Sequence, residues 1–332
     1  METLITHEQF CYSDRFRVDH FQLYVRMSCM FTLKQVLQSK KILLALVIII
    51  FTGIALIWQN QKIFKDDLKL STKYQVVELV FPKLEPAETE RVENLVREQI
   101  RLIVSKPNFA NSLKITQKYK NKIRLVATEK KFPQELALGV AFLENGGSEV
   151  ALSYAGAAGI FQLTEGTAKT LGLKVDADSD ERLEPEKNIT AGITYLDQNL
   201  EIFSDPGIAV WAHHAGTQNV SAALKIYLKN LGEPDAYDFV EAVNLGKLDR
   251  AKYVWRAYVT KDNLSVHKLL TTPQVAPFLE QFSDETELYV YKVVAATILF
   301  EAASNFEERE FARKVKLFNQ GRILLSELLT PS

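Results

Sequence analysis

The chain has 332 residues, 47% of them hydrophobic and 24% charged, enough for one good core with appended elements. A formal net charge of −1 offers no broad basic field, so no nucleic-acid partner is expected. Its two cysteines, Cys11 and Cys29, both precede a long apolar run, which leaves the body without a disulfide or a thiolate metal site.

Residues 1–41 read as a cytoplasmic N-terminal segment; the first 29 carry no clear pattern, "MFTLKQVLQSKK" from Met30 makes a basic flank, and Met27 or Met30 would serve as a start. Residues 42–58, Ile42 to Trp58, form an uncharged run at the short end for a membrane-spanning helix. Arg26, Lys34, Lys40 and Lys41 precede it, a bias that favours a cytoplasmic N-terminus with the body outside. A cleaved signal peptide is the alternative, although the run exceeds a usual apolar core and lacks a small-residue cleavage pattern. Residues 59–119 read as a stalk and helical region. The stretch "YQVVELVF" is strand-like, and "PAETERVENLVREQIRLIVSK" is helical, with Val92, Val96 and Ile103 on one side. A charged helix is expected around Ile115 to Lys130.

Phe132-Pro133 opens the next helix, Leu136, Val140 and Leu143 recur at helical spacing, and Gly146-Gly147 stops it. Thr164 is placed to cap a short helix to Leu171. A longer helix starts near Asn188 and carries Ile189, Ile193, Leu196, Leu200 and Phe203 as one stripe, up to Pro206-Gly207. The remainder, including "ELYVYKVVAATILFEAAS", is mainly helical. The expected fold is all-α: a compact helical domain with an N-terminal transmembrane helix and extra C-terminal helices.

Glu144 falls in the last turn of its helix, where the dipole disfavours an anion and raises the carboxyl pKa. A proton donor to a glycosidic oxygen needs that shift. An exposed glutamate near a helix end is the plain alternative. The following run Gly156-Ala157-Ala158-Gly159 has little side chain, so a bulky ligand reaches the main chain there, or helices pack closely. Gln162 adds a donor and an acceptor on one side chain.

Together these segments resemble the catalytic domain of soluble-type lytic transglycosylases, relatives of goose-type lysozyme. The blocks are Glu144-Asn145, then Ser153-Tyr154-Ala155-Gly156-Ala157-Ala158-Gly159-Ile160-Phe161-Gln162, then Thr167-Ala168. Asn188-Ile189 with Gly192, Tyr195-Leu196, Ala212-His213-His214-Ala215-Gly216 and Tyr253-Val254 follow in order. The resemblance covers residues 120–259 and leaves 260–332 as a helical C-terminal extension. It implies a lysozyme-like fold, Glu144 as the catalytic acid, and Ser153, Gly159, Gln162, Tyr195, His214 and Tyr253 around the substrate. It also implies action on peptidoglycan strands, with no cofactor or metal, between N-acetylmuramic acid and N-acetylglucosamine. One carboxylate then suffices: the acetamido group of the substrate stabilises the positive charge, and the sugar's own 6-hydroxyl closes a 1,6-anhydro ring.

Three positions depart from the family pattern. Asn145 stands for a serine, His213 and His214 for tyrosine and asparagine, and Glu165 for a proline. Asn145 and a neutral histidine both hydrogen-bond in either sense, so the groove works with them, or the domain binds without cutting. Glu149 and Glu165 are the neighbouring glutamates that a second carboxylate would come from. Asp176, Asp178 and Asp180 have calcium-loop spacing, but Glu181 and Lys187 occupy the positions that need glycine and glutamate. Trp211 and Trp255 read as core. The expected protein is an inner-membrane, single-pass transglycosylase facing the periplasm, with room for a protein partner on the C-terminal helices. A hydrolytic muramidase of the same fold and a glycan-binding envelope scaffold are the rivals.

Overall fold

The computed structural model describes residues 70–232, 264–282 and 285–331, all within one unit, Asp67–Ser332. Its chain runs through α1 (Leu70–Lys73), α2 (Gln75–Val80), α3 (Pro86–Ser105), α4 (Phe109–Glu129), α5 (Gln134–Glu144) and α6 (Glu165–Thr170). It continues through α7 (Pro185–Phe203), α8 (Pro206–Ala215), α9 (Thr217–Asn230), α10 (Val266–Thr271), α11 (Ala276–Leu279), α12 (Tyr289–Ala303), α13 (Glu308–Asn319) and α14 (Leu325–Leu329). Among the described residues there is no strand, only isolated bridges such as Leu152 with Ala158. No described helix is long and apolar enough to cross a membrane. The run at 42–58 lies outside the described residues.

Helix starts follow local chemistry. Thr164 accepts from Thr167 N at the head of α6. Asp205 accepts from Ile208 N at 2.7 Å at the head of α8, and Pro206 supplies the preset φ of a first turn. Pro206-Gly207 therefore opens α8; α7 has already ended at Phe203, with Ser204 left-handed after it. The strand expected at Tyr74–Phe81 is instead α2. Val76, Val77 and Val80 lie buried on one helical side, so packing overrides the strand preference of branched residues.

The core is organised around α12. Its buried residues point in every direction, from Tyr289, Val290 and Tyr291 to Leu299 and Phe300, which is the mark of a helix enclosed by others. It packs chiefly against α5 and α3, and α8 also touches it; α4 and α7 close the far side of α5 and α8. The contacts Glu135 with Thr297, Gly139 with Val293 and Thr297, and Glu144 with Tyr289 place α5 and α12 antiparallel. Gly139 permits this closeness, because a Cβ there would sit 2.0 Å from Thr297 Oγ1. The helix assigned from sequence to a C-terminal extension thus lies inside the core, and the boundary drawn at 259–260 does not separate two packing units. The helical part of the supposed stalk, α3, joins the same core.

Candidate active site

Glu144 is the last residue of α5 and is half-buried. Tyr289, the first residue of α12, is buried and donates its hydroxyl to Glu144 Oε1 at 2.5 Å. Burial pushes the Glu144 carboxyl up to about 7. The Tyr289 bond and the positive charges of Lys106 and Lys292 pull it back only in part. Tyr289 is raised well above the ordinary phenol range, first by burial and then by the Glu144 charge, so it stays a neutral donor. With Oε1 accepting from the phenol, the exchangeable proton of the acid belongs on Oε2.

Tyr289 was not expected from sequence. The Tyr-Val block was read at Tyr253-Val254, which lies outside the described residues. The same dipeptide also stands at Tyr24-Val25, Tyr258-Val259 and Tyr289-Val290, the last heading the most apolar late helix, and that setting is the available signal.

His214, in the last turn of α8, reaches the same point from the other side. Its ring lies flat on the Tyr289 ring, with centroids 4.1 Å apart and planes within 8°. His213 faces inward instead. Its Nε2 lies 3.1 Å from Phe161 O, its Nδ1 has no partner, and burial first, then the neighbouring His214 charge, lower it to about 4. The imidazole is therefore neutral, with its proton on Nε2 directed at the carbonyl.

The small-residue loop is built for its own support. Asn188, fully buried, accepts from Phe161 N at 2.8 Å and donates to Ala158 O at 3.0 Å. Arg182, paired with Asp180, donates to the carbonyls of Gly156 and Leu163. Gly159 has φ 81° and is buried; a Cβ there would sit 2.2 Å from Asn188 Nδ2. The chain's own packing therefore needs bare backbone at this position. Gly156 is different: nothing lies within 4 Å of its missing Cβ.

Ser153 Oγ accepts from Ala157 N, and Gln162 Nε2 donates to Ala151 O and Gly159 O, so both polar ends shape the loop from within. Tyr195 is half-buried, with its hydroxyl 3.4 Å from Ala212 O and from Thr217 Oγ1, and its ring 5.7 Å from that of His213. Asn145 is fully buried, and its amide donates to Ser112 O, Thr116 Oγ1 and Ala141 O. Its side chain ties α5 to α4, so the substrate contact considered for it does not hold. Tyr154, by contrast, is fully exposed at the loop tip beside Leu152.

The neighbouring glutamates are engaged elsewhere. Glu149 accepts from Lys118 and Tyr119 at 2.6 Å each. Glu165 pairs with Lys169 one turn on. Asp176 accepts from Asp178 N and Ser179 N, Asp180 pairs with Arg182, and no cluster able to hold a metal occurs among the described residues. Trp211 is wholly buried in the core.

The arrangement is a protonatable carboxyl bonded on one oxygen to a phenol whose ring His214 covers. The family model described as the Transglycosylase SLT domain matches residues 122–233. A protein of Enterobacteria phage PRD1 named "Transglycosylase" is 34% identical over 90 residues, covering 27% of this chain. The chain spans 32% of that relative's length. A solved structure of the lytic transglycosylase Slt from Pseudomonas aeruginosa, an inactive mutant, is 19% identical with a TM-score of 0.36. That likeness covers 56% of this chain and 24% of the other. Residues 122–233 thus match the transglycosylase SLT domain, with Glu144, the small-residue loop and His214 inside the matched span and Tyr289 outside it.

Proposed function

We propose that this protein is a lytic transglycosylase with a lysozyme-like catalytic domain, cutting peptidoglycan between N-acetylmuramic acid and N-acetylglucosamine. The observation that carries the reading is the Glu144 carboxyl, raised to about 7 and bonded through one oxygen to a neutral phenol. Near neutral pH a useful fraction is protonated, which a general acid requires. Glu144 Oε2 gives its proton to the leaving glycosidic oxygen as the bond to the anomeric carbon breaks. The acetamido oxygen of the substrate shares the positive charge, and the 6-hydroxyl then attacks the anomeric carbon. Glu144 takes that hydroxyl's proton and returns to its starting form, so no water is consumed and a 1,6-anhydro end remains. Glu149 and Glu165, each committed to a lysine, favour the single-acid route over a two-carboxylate one.

Anchoring through 42–58 and a periplasmic position belong to the same proposal and rest on the sequence pattern alone. A further protein partner on the C-terminal helices has less support, since α12 is enclosed by the core.

Incubation of purified protein with peptidoglycan, followed by mass spectrometry of the fragments, tests the reading. Anhydro ends are expected, and they should vanish in Glu144→Gln. Reducing ends would indicate a hydrolytic muramidase, and unchanged turnover in Glu144→Gln would remove Glu144 from the chemistry.

A further inference from the structure

We propose that His214 is a positioning residue, its imidazole holding the Tyr289 ring in the orientation that aims the phenol at Glu144. The inference rests on the reading of Glu144 as the acid.

The Tyr289 backbone is tied to the turn before it, its N–H donating to Thr286 O, but that bond does not set the direction of the ring. Tyr289 is the first residue of α12, follows the short turn Thr286–Leu288, and has Leu288 at the cap position with no side-chain bond. A long aromatic side chain there depends on what its ring touches. One end of Tyr289 is fixed by the 2.5 Å bond to Glu144, and one face is covered by His214 at 4.1 Å. A flat ring at that distance blocks the swing that would carry the hydroxyl away from the carboxyl.

His214 itself sits on a fixed base. The adjacent His213 is held at Phe161 O and lies edge-on to the Phe161 ring, 6.3 Å between centroids. The α8 helix ends directly after, at Gly216 with φ 84°. A clamp of this kind needs a flat ring. The asparagine of the resemblance pattern would offer hydrogen bonds but would not cover the phenol face.

Steady-state kinetics on glycan strands with His214→Ala, His214→Phe and His214→Asn test this. His214 is exposed, so each variant should keep its fold, checked by its melting curve. His214→Ala should lower kcat about fivefold with KM little changed, the scale of one aromatic contact. Phenylalanine should restore kcat to within about twofold, and asparagine should not. In a Tyr289→Phe background, His214→Ala should cost nothing further. Recovery with asparagine but not phenylalanine, a KM effect with kcat intact, or multiplying losses in the Tyr289→Phe background would each overturn the clamp. A carboxyl NMR titration of Glu144 supplies a readout that needs no turnover. The midpoint should rise from about 7 in His214→Ala, because a weakened phenol bond favours the anion less, and should return with phenylalanine. An unmoved midpoint refutes the role. A wild-type protein without turnover would defeat the proposed activity, while the titration would still judge His214.

Discussion

Glu144 sets two opposing demands on one carboxyl. Burial disfavours its charge, and the phenol bond and two lysines favour it; burial wins and places it near 7. The consequence for stability has a definite sign. Between about 4.5 and about 7 the folded chain holds a proton that the unfolded chain has released, so stability falls as pH rises through that window. Glutamine does not titrate and still accepts from Tyr289. Glu144→Gln should therefore be more stable than wild type at pH 8 by about 1–2 kcal/mol, roughly 3–6 °C in Tm, and nearly equal to it at pH 4.5. Melting curves of both proteins across that range check it. His213 works the other way, since its neutral form is what the core accepts and its contribution is lost as pH falls from about 6.5 towards 4. Exposed Tyr154 makes a separate prediction. If glycan passes the loop tip, Tyr154→Ala should raise KM about threefold to tenfold with kcat largely retained, the cost of one lost stacking contact, measured in the same fragment assay.

The crossing of α5 and α12 is where helix packing fixes the distance between acid and phenol. Gly139→Ala drives a methyl into Thr297 Oγ1 and Val293 O. Alanine gains about 1 kcal/mol of helix propensity, but overpacking costs about 1–3 kcal/mol, so a net loss of roughly 1 kcal/mol is expected, with activity falling further than stability. Denaturant melts beside kinetics separate the two. Much at this scale could be read in advance. The stripe from Ile189 to Phe203 marks α7, and Thr164 and Gly146-Gly147 mark helix ends, because caps and periodicity are local. The residues 74–81 were misread because valines favour strands until neighbours bury them on one helical side. Glu144 was legible from its place in a helix and its company of blocks. Tyr289 was not, since nothing in a local window tells which of four Tyr-Val pairs will meet an acid far back in the chain. Asn145 holds a family-pattern position whose side-chain direction no spacing reveals, and Gly159 one whose close neighbours, Asn188 and Arg182, lie beyond any local window.

For the molecule as a whole, the matched span 122–233 is not a free-standing unit. Its helix α5 loses its main partner if α12 is removed, and Phe142, which lies 6.4 Å from Phe300, would lose that cover. A fragment limited to 122–233 should lack a cooperative thermal transition and should bind a hydrophobic dye, whereas 67–332 should melt in one step. Calorimetry and dye fluorescence on the two fragments decide it.

Glu144 and Tyr289 meet across a separation of 145 residues. During synthesis the acid leaves the ribosome well before the phenol that orients it is translated. A nascent chain would then carry its proton donor without the partner that settles which oxygen bears the proton. Under the activity proposed above, an enzyme that opens the cell wall would stay latent until its last helices are made, and the order of translation alone would impose the delay.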